Sequence, residues 1–145
     1  NLMSFATSHA AQTYAKVGLE TGVATASPHQ LILMLFDGAL LAIAKATTAM
    51  QQKQLTDKGQ AISQAIDIIS NGLGASLNFS VGDELPNRLA ALYDYMCRRL
   101  LHANLHNDQA ALNEVSHLLG EIKSAWAEIA DDPAVLAQQK NKVAA

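Results

Sequence analysis

The chain is poor in the residues that build sheets. Aromatic side chains make up 5% of its 145 residues, and no segment alternates apolar and polar positions as a half-buried strand does. Cysteine is nearly absent: Cys97 stands alone, which excludes an internal disulfide and suits a reducing cytoplasm. Basic residues are few. Ten Lys and Arg against 13 Asp and Glu leave a net charge of −3. No basic stripe is present to neutralise phosphates, so nucleic acid is a poor partner. The longest apolar run, "LILMLF" followed after Asp37 by "GALLAIAKA", reads as too short and too interrupted for membrane insertion. No charged n-region with a cleavage pattern precedes an apolar stretch at the start. A phosphate loop is missing as well, since "GLGAS" at 72–76 sits in a helical pattern and lacks the required lysine. These absences leave an all-α protein, expected to be soluble and cytoplasmic.

What the chain does have is helix. Half of it is hydrophobic, yet mean hydropathy is only +0.08, because much of the apolar content is alanine, the best helix former. "SPHQ" at 27–30 is a strong start: Ser27 can cap, Pro28 fits the first helical position and Gln30 completes a capping box. That helix is predicted to run to about Gln52. "TDKG" opens a second at Thr56, predicted to reach about Asn78. Asp83 can cap a third, with Pro86 in its first turn. "HND" at 106–108 breaks the chain and recaps a fourth helix ending near Ala130, and Asp132–Pro133 can start one short further helix. Short connections make consecutive helices antiparallel neighbours. The expected architecture is an antiparallel up-down-up-down four-helix bundle at 27–132, an N-terminal arm at 1–26 and a short helix or tail at 133–145.

Helical periodicity then assigns faces. The fourth helix has one apolar seam through Leu112, Val115, Leu119, Ile122, Trp126 and Ile129, and Trp126 reads as a plug at the bundle end. The other helices carry more apolar surface. The first adds Met34 and Leu41 on its far side, near Asp37. The second has a core seam (Ile62, Ile66, Ile69, Leu73, Leu77) and a second line about 100° away through Ala61, Ala65, Ile68, Gly72, Ala75 and Phe79. In the third, Tyr93, Cys97 and Leu101 widen a seam made by Leu85, Leu89, Leu92, Met96, Leu100 and Ala103. Two explanations stand: a broad core covered by the arm and tail, or a lengthwise groove that receives an amphipathic partner. They are compatible if the arm, through Tyr14 and Val17, covers the groove until a partner displaces it.

Catalytic chemistry finds little support. Ser116 neighbours His117, but adjacent helical residues point apart. A metal-binding helical-bundle enzyme is the alternative from another class. "EVSH" at 114–117 is one Glu-x-x-His unit, whereas a di-iron bundle needs two such units and further inward glutamates, and Glu114 and His117 lie off the seam, where solvent is expected. His102 and His106, one turn apart, are at most a pair for an adventitious metal. No catalytic residue, metal ligand or cofactor is assigned. Asp94/Arg98 and Tyr95/Arg99 read as polar edges beside the apolar arc, and Arg99 is a candidate partner for Asp37 across the bundle.

Three stretches carry a resemblance: "TASPHQLILMLFDGAL", "AIDIISNGL" and "LYDYMCRRLLHANLHND". With the tryptophan in "SAWAEIA" and the arm "YAKVGLETGV", they resemble the flagellar secretion chaperones, the flagellin-specific chaperones of type III export, from about Tyr14 to Ala130. Phe36 departs from the tyrosine of many members, losing a hydroxyl and keeping the ring. The resemblance implies a cytoplasmic four-helix bundle that is not an enzyme. It implies binding of the disordered C-terminal segment of flagellin, prevention of premature polymerisation and delivery to a component of the flagellar export gate. The partner-binding residues expected on the groove are Ile68, Gly72, Ala75, Phe79, Tyr93, Cys97 and Leu101, with Met34 and Leu41 at its margin.

Overall fold

The computed structural model describes residues 26–82 and 84–129. Tyr14, Val17, Asp83, the arm before Ala26 and the tail after Ile129 lie outside the described residues. Four long helices and no strand occur among them: α1 (Pro28–Gln51), α2 (Leu55–Asp67), α3 (Glu84–His106) and α4 (Gln109–Glu128). Helix α2 does not stop at Asp67. It continues as a π-helical segment, Ile68–Leu73, and a 3-10 turn, Gly74–Ser76, before a separate 3-10 turn at Phe79–Val81.

The start of α1 is the capping box expected from the sequence: the Gln30 amide donates to the Ser27 hydroxyl, and the Ser27 amide donates to the Gln30 side chain at 2.9 Å. Its end is a Schellman motif built on a non-glycine residue. Lys53 adopts φ 58°, and the amides of Gln54 and Lys53 donate to the carbonyls of Ala49 and Met50. The end of α3 repeats the device. Asn107 takes φ 51°, the Asp108 amide donates to the Ala103 carbonyl, and the Asp108 carboxylate caps α4 by accepting from the Ala111 amide. Gly82, at φ 68°, supplies the left-handed turn before α3.

Cross-chain contacts show how the helices pair. Helices α1 and α4 meet at His29/Trp126 and at Gln51/Gln109, so they run antiparallel. Helices α2 and α3 meet at Lys58/Asn104 and at Ile66/Cys97, also antiparallel. The core lies between all four, with Leu35, Ala39, Ile69, Met96, Leu100, Leu112, Val115 and Leu119 wholly inaccessible.

Two expectations are corrected here. The helix predicted from Ser27 to about Gln52 forms, at Pro28–Gln51; what changes is the reading of its apolar run as too short and too interrupted for a membrane. Helix α1 is one uninterrupted helix, long and apolar enough by length and composition to cross a bilayer. Its apolar side chains are used in packing, with Leu31, Leu35, Phe36, Ala42, Ile43 and Ala46 buried, while Asp37 stays at the surface and pairs with Lys123 of α4. Asp37 therefore does not pair with Arg99. The second correction concerns α2. An unbroken 3.6-residue period would separate its two apolar lines. In the π segment the Gly74 amide reaches back to the Ile69 carbonyl, so each turn holds an extra residue. Ile68, Ile69, Gly72 and Leu73 are all buried, as are Ala61 and Ala65 of the same second line in the regular α-helical part, so that line is core as far as Gly72.

Candidate functional site: the α2–α3 seam and an open apolar cleft

The antiparallel contacts order the expected groove residues along one seam. Lys58 of α2 faces Asn104 of α3, Ile66 faces Cys97, and Leu73 and Leu77 share a cleft with Leu89 and Tyr93. Phe79 therefore stands near the start of α3 and Leu101 well toward its end. At about 1.5 Å per helical residue, 85 and 101 are roughly 24 Å apart, the length of a four-turn helix.

Along that seam the expected residues divide. Leu101 is 58% exposed, Phe79 57% and Leu41 43%. Ala75 is exposed as well, and Met34 and Cys97 are half-buried. Ile68 and Tyr93 instead belong to the core, 1% and 5% exposed, and Gly72 is buried. Ala61 and Ala65, on the same line in the preceding turns, are buried too, so Ile68 and Gly72 continue the core face of the helix. Met34 and Leu41 sit on α1 and are not part of the α2–α3 seam. Burial pushes the Cys97 thiol up to about 11, which suppresses the thiolate and makes it a packing residue rather than a nucleophile. Sequence reasoning missed the exposed Leu105 and Leu55, 77% and 67% exposed. Leu105 follows Leu101 by one turn, a spacing visible in the sequence.

One edge of the seam is stapled. Lys58 is 5% exposed, and its ammonium donates to the Asn104 carbonyl at 2.9 Å and to the Asn107 side-chain oxygen. It ties the start of α2 to the end of α3, where unpaired carbonyls favour a cation. Arg99 and Tyr95 converge on Glu114 of α4: the Arg99 Nε and the Tyr95 hydroxyl each donate at 2.7 Å. Glu114 thus packs toward α3 rather than facing solvent as expected. Its carboxyl is held below the usual range, first by the Tyr95 hydrogen bond and then by Arg99. The carboxyl of Asp108 is also lowered, first by the Ala111 amide and then, among the favourable contacts, by His102. His102 stands 3.2 Å from Asp108 and has its ring 4.5 Å from that of His106. His117 pairs with Glu121. Among the described residues no group of three or more His, Cys, Asp or Glu is placed to hold a metal ion.

The opposite end of the bundle is open. None of residues 84–92 of α3 and none of 120–129 at the end of α4 is buried. Between them lies an apolar cleft of about 440 Å³. Its floor is Ile32 and Phe36 of α1 with Leu73 and Leu77, and its walls are Leu85, Leu89 and Tyr93 on one side and Ile122, Trp126 and Ile129 on the other. Trp126 is anchored rather than loose. Its ring stacks on His29 with centroids 4.7 Å apart and planes at 9°. The indole donates to the His29 carbonyl at 3.1 Å, and the imidazole Nε2 lies 2.7 Å from the Trp126 carbonyl, which requires the proton on that nitrogen. The plug expected at Trp126 is therefore one wall of a cleft that the four helices leave unfilled.

The arrangement offers apolar surface and fixed polar edges, with no nucleophile–base pair among the described residues. Comparison with known proteins agrees with that. The family model described as "Flagellar protein FliS" matches residues 10–133. A relative from Salmonella typhimurium, named Flagellar secretion chaperone FliS, is 51% identical over 118 residues, covering 81% of this chain and 87% of the relative. The protein of the same name from Escherichia coli is 47% identical over 125 residues, covering 86% and 92%. That from Bacillus subtilis is 36% identical over 107 residues, covering 74% and 78%. The chain belongs to the FliS family of flagellar secretion chaperones, a family of chaperones and not of enzymes.

Proposed function

We propose that this chain acts in the cytoplasm as a chaperone for flagellin, binding its disordered C-terminal segment along the α2–α3 seam. The observation that carries the reading is the row of exposed apolar side chains there, Phe79, Leu101 and Leu105, with Ala75 and Cys97 between them and polar pairs at the margin. A segment that folds on binding loses conformational entropy, and burying its apolar side chains offsets that loss. Covering those side chains also withholds them from other flagellin subunits, which prevents premature polymerisation and keeps the client extended enough for type III export. A component of the export gate would then receive the complex.

The test is a titration with a peptide of the flagellin C-terminal segment, comparing the parent with Leu101→Asp and Ala75→Asp. Both positions are exposed, so both variants should fold. Burying a half-exposed leucine is worth about 1 kcal/mol, and a desolvated aspartate in its place adds at least as much cost. Leu101→Asp should weaken binding by tenfold or more. Folded variants that bind as tightly as the parent would place the client elsewhere.

A further inference from the structure

The end cleft has the make-up of a small-molecule site: concave, mostly apolar and furnished with few polar groups. An apolar cavity of about 150 Å³ holds one benzene ring, so the cleft's volume of about 440 Å³ gives room for about two rings and the atoms that join them. Four lining residues carry polar side-chain atoms, and three of these are committed. The Ser76 hydroxyl donates to the Gly72 carbonyl at 2.7 Å, the Trp126 indole donates to the His29 carbonyl, and Glu121 pairs with His117 at 3.1 Å. Tyr93 is the exception. It is 5% exposed, and its hydroxyl has no hydrogen-bond partner among the described residues. Burial alone pushes that hydroxyl up to about 12. Taking a hydroxyl out of water without a partner is costly, so a molecule seated in the cleft gains by offering it an acceptor.

We infer that the cleft binds a small uncharged organic molecule: an aromatic or branched aliphatic body with one carbonyl or ether oxygen that accepts from the Tyr93 hydroxyl. The body lies on Ile32, Phe36 and Leu77, with Trp126 as an aromatic wall held by its stack on His29 at 4.7 Å. That anchoring matters, because a wall fixed beforehand loses little freedom when the ligand arrives. A charged ligand is disfavoured twice. Its ion would be stripped of water against an apolar lining, and a carboxylate would also meet Glu121 on the rim. A ligand without an acceptor would leave the hydroxyl buried and unpaired. None of the residues assigned to the client (Phe79, Leu101, Leu105, Ala75 and Cys97) lines the cleft, so the inference does not rest on the proposed function.

Three matched probes test this chemistry by equilibrium dialysis against the full chain: benzophenone, which has the ketone; diphenylmethane, which lacks it; and diphenylacetate, which is charged. Benzophenone should bind saturably and about fivefold more tightly than diphenylmethane, the worth of one hydrogen bond, and diphenylacetate should bind most weakly. Tyr93→Phe keeps the ring and should abolish the preference for the ketone, with diphenylmethane bound as before. Ala125 is exposed on the α4 wall, so Ala125→Phe should fold, as circular dichroism checks. It should fill the cleft and weaken benzophenone binding by tenfold or more. No saturable uptake by the full chain overturns the inference; the cleft would then have another occupant, such as a second copy of this chain. Equal affinity for benzophenone and diphenylmethane overturns it too. So does a ketone preference that survives Tyr93→Phe, or uptake that Ala125→Phe leaves unchanged, because the site would then lie elsewhere. Flagellin peptide is titrated separately: its failure to bind defeats the proposed function and leaves the dialysis result standing.

Discussion

Replacing Lys58 by methionine tests how the seam is held in shape. The side chain is almost fully buried, makes no ion pair with a carboxylate among the described residues, and donates to the Asn104 carbonyl and the Asn107 amide oxygen. Hydrogen bonds from a charged donor contribute about 1.5–3 kcal/mol each. The two here share one donor and are not additive, and removing a desolvated ammonium returns part of the loss. A net destabilisation of about 2–3 kcal/mol is expected, since methionine matches the lysine stem in volume. For a chain of this size that corresponds to a fall in Tm of roughly 5–10 °C. Urea unfolding followed by Trp126 fluorescence and by circular dichroism measures it, with an unchanged slope showing that the denatured state is the same. A Lys58→Met chain within about 0.5 kcal/mol of the parent would refute the staple, because changes of that size are typical of surface positions.

Two pH profiles follow from other groups. Tyr93 titrates near 10 when unfolded and is pushed up to about 12 in the folded chain. The folded state therefore holds a proton that the unfolded state releases, and stability falls as pH rises from about 10 to 12. The loss attributable to this group is on the order of 2–3 kcal/mol. Tyr93→Phe should flatten that slope in alkaline urea titrations, and an identical slope in both chains would show that another group controls it. Glu114 is shifted the other way. Its folded value lies below the unfolded one, so its contribution is present above the ordinary carboxylate range and is lost as pH falls through the folded value. The stability gap between parent and Glu114→Gln should thus be open at neutral pH and close on acidification below about pH 4; a gap that stays constant would contradict the Tyr95–Glu114–Arg99 cluster.

The helices were legible because their signals are local. Ser27 and Gln30, Asp108 with its αL neighbour Asn107, and the period of Leu112, Val115 and Leu119 each act within a turn or two of chain, and the structure follows them. The π segment was not legible. Whether Ile68–Leu73 closes its hydrogen bonds four residues back or five is decided by what the rest of the bundle packs against it, and the cover over Ile68 and Gly72 is likewise supplied by the other helices. Partners across helices were equally hidden: Asp37 chose Lys123 over Arg99, and Arg99 chose Glu114. The cleft illustrates the limit most plainly. Leu85, Leu89, Ile122 and Trp126 have the spacing of core residues, and periodicity marks a side chain as apolar without saying whether anything stands opposite it. Only the placement of α3 against α4 shows that nothing among the described residues fills that space.

The central claim is that this surface binds a client that folds as it binds. The most direct measurement is calorimetric titration of the full chain with a flagellin C-terminal peptide, paired with far-ultraviolet circular dichroism of the mixture. Saturable binding, a negative heat-capacity change from apolar burial and a helical signal exceeding the sum of the separate components are expected. Absence of binding, or binding of a peptide that gains no helix, would contradict it.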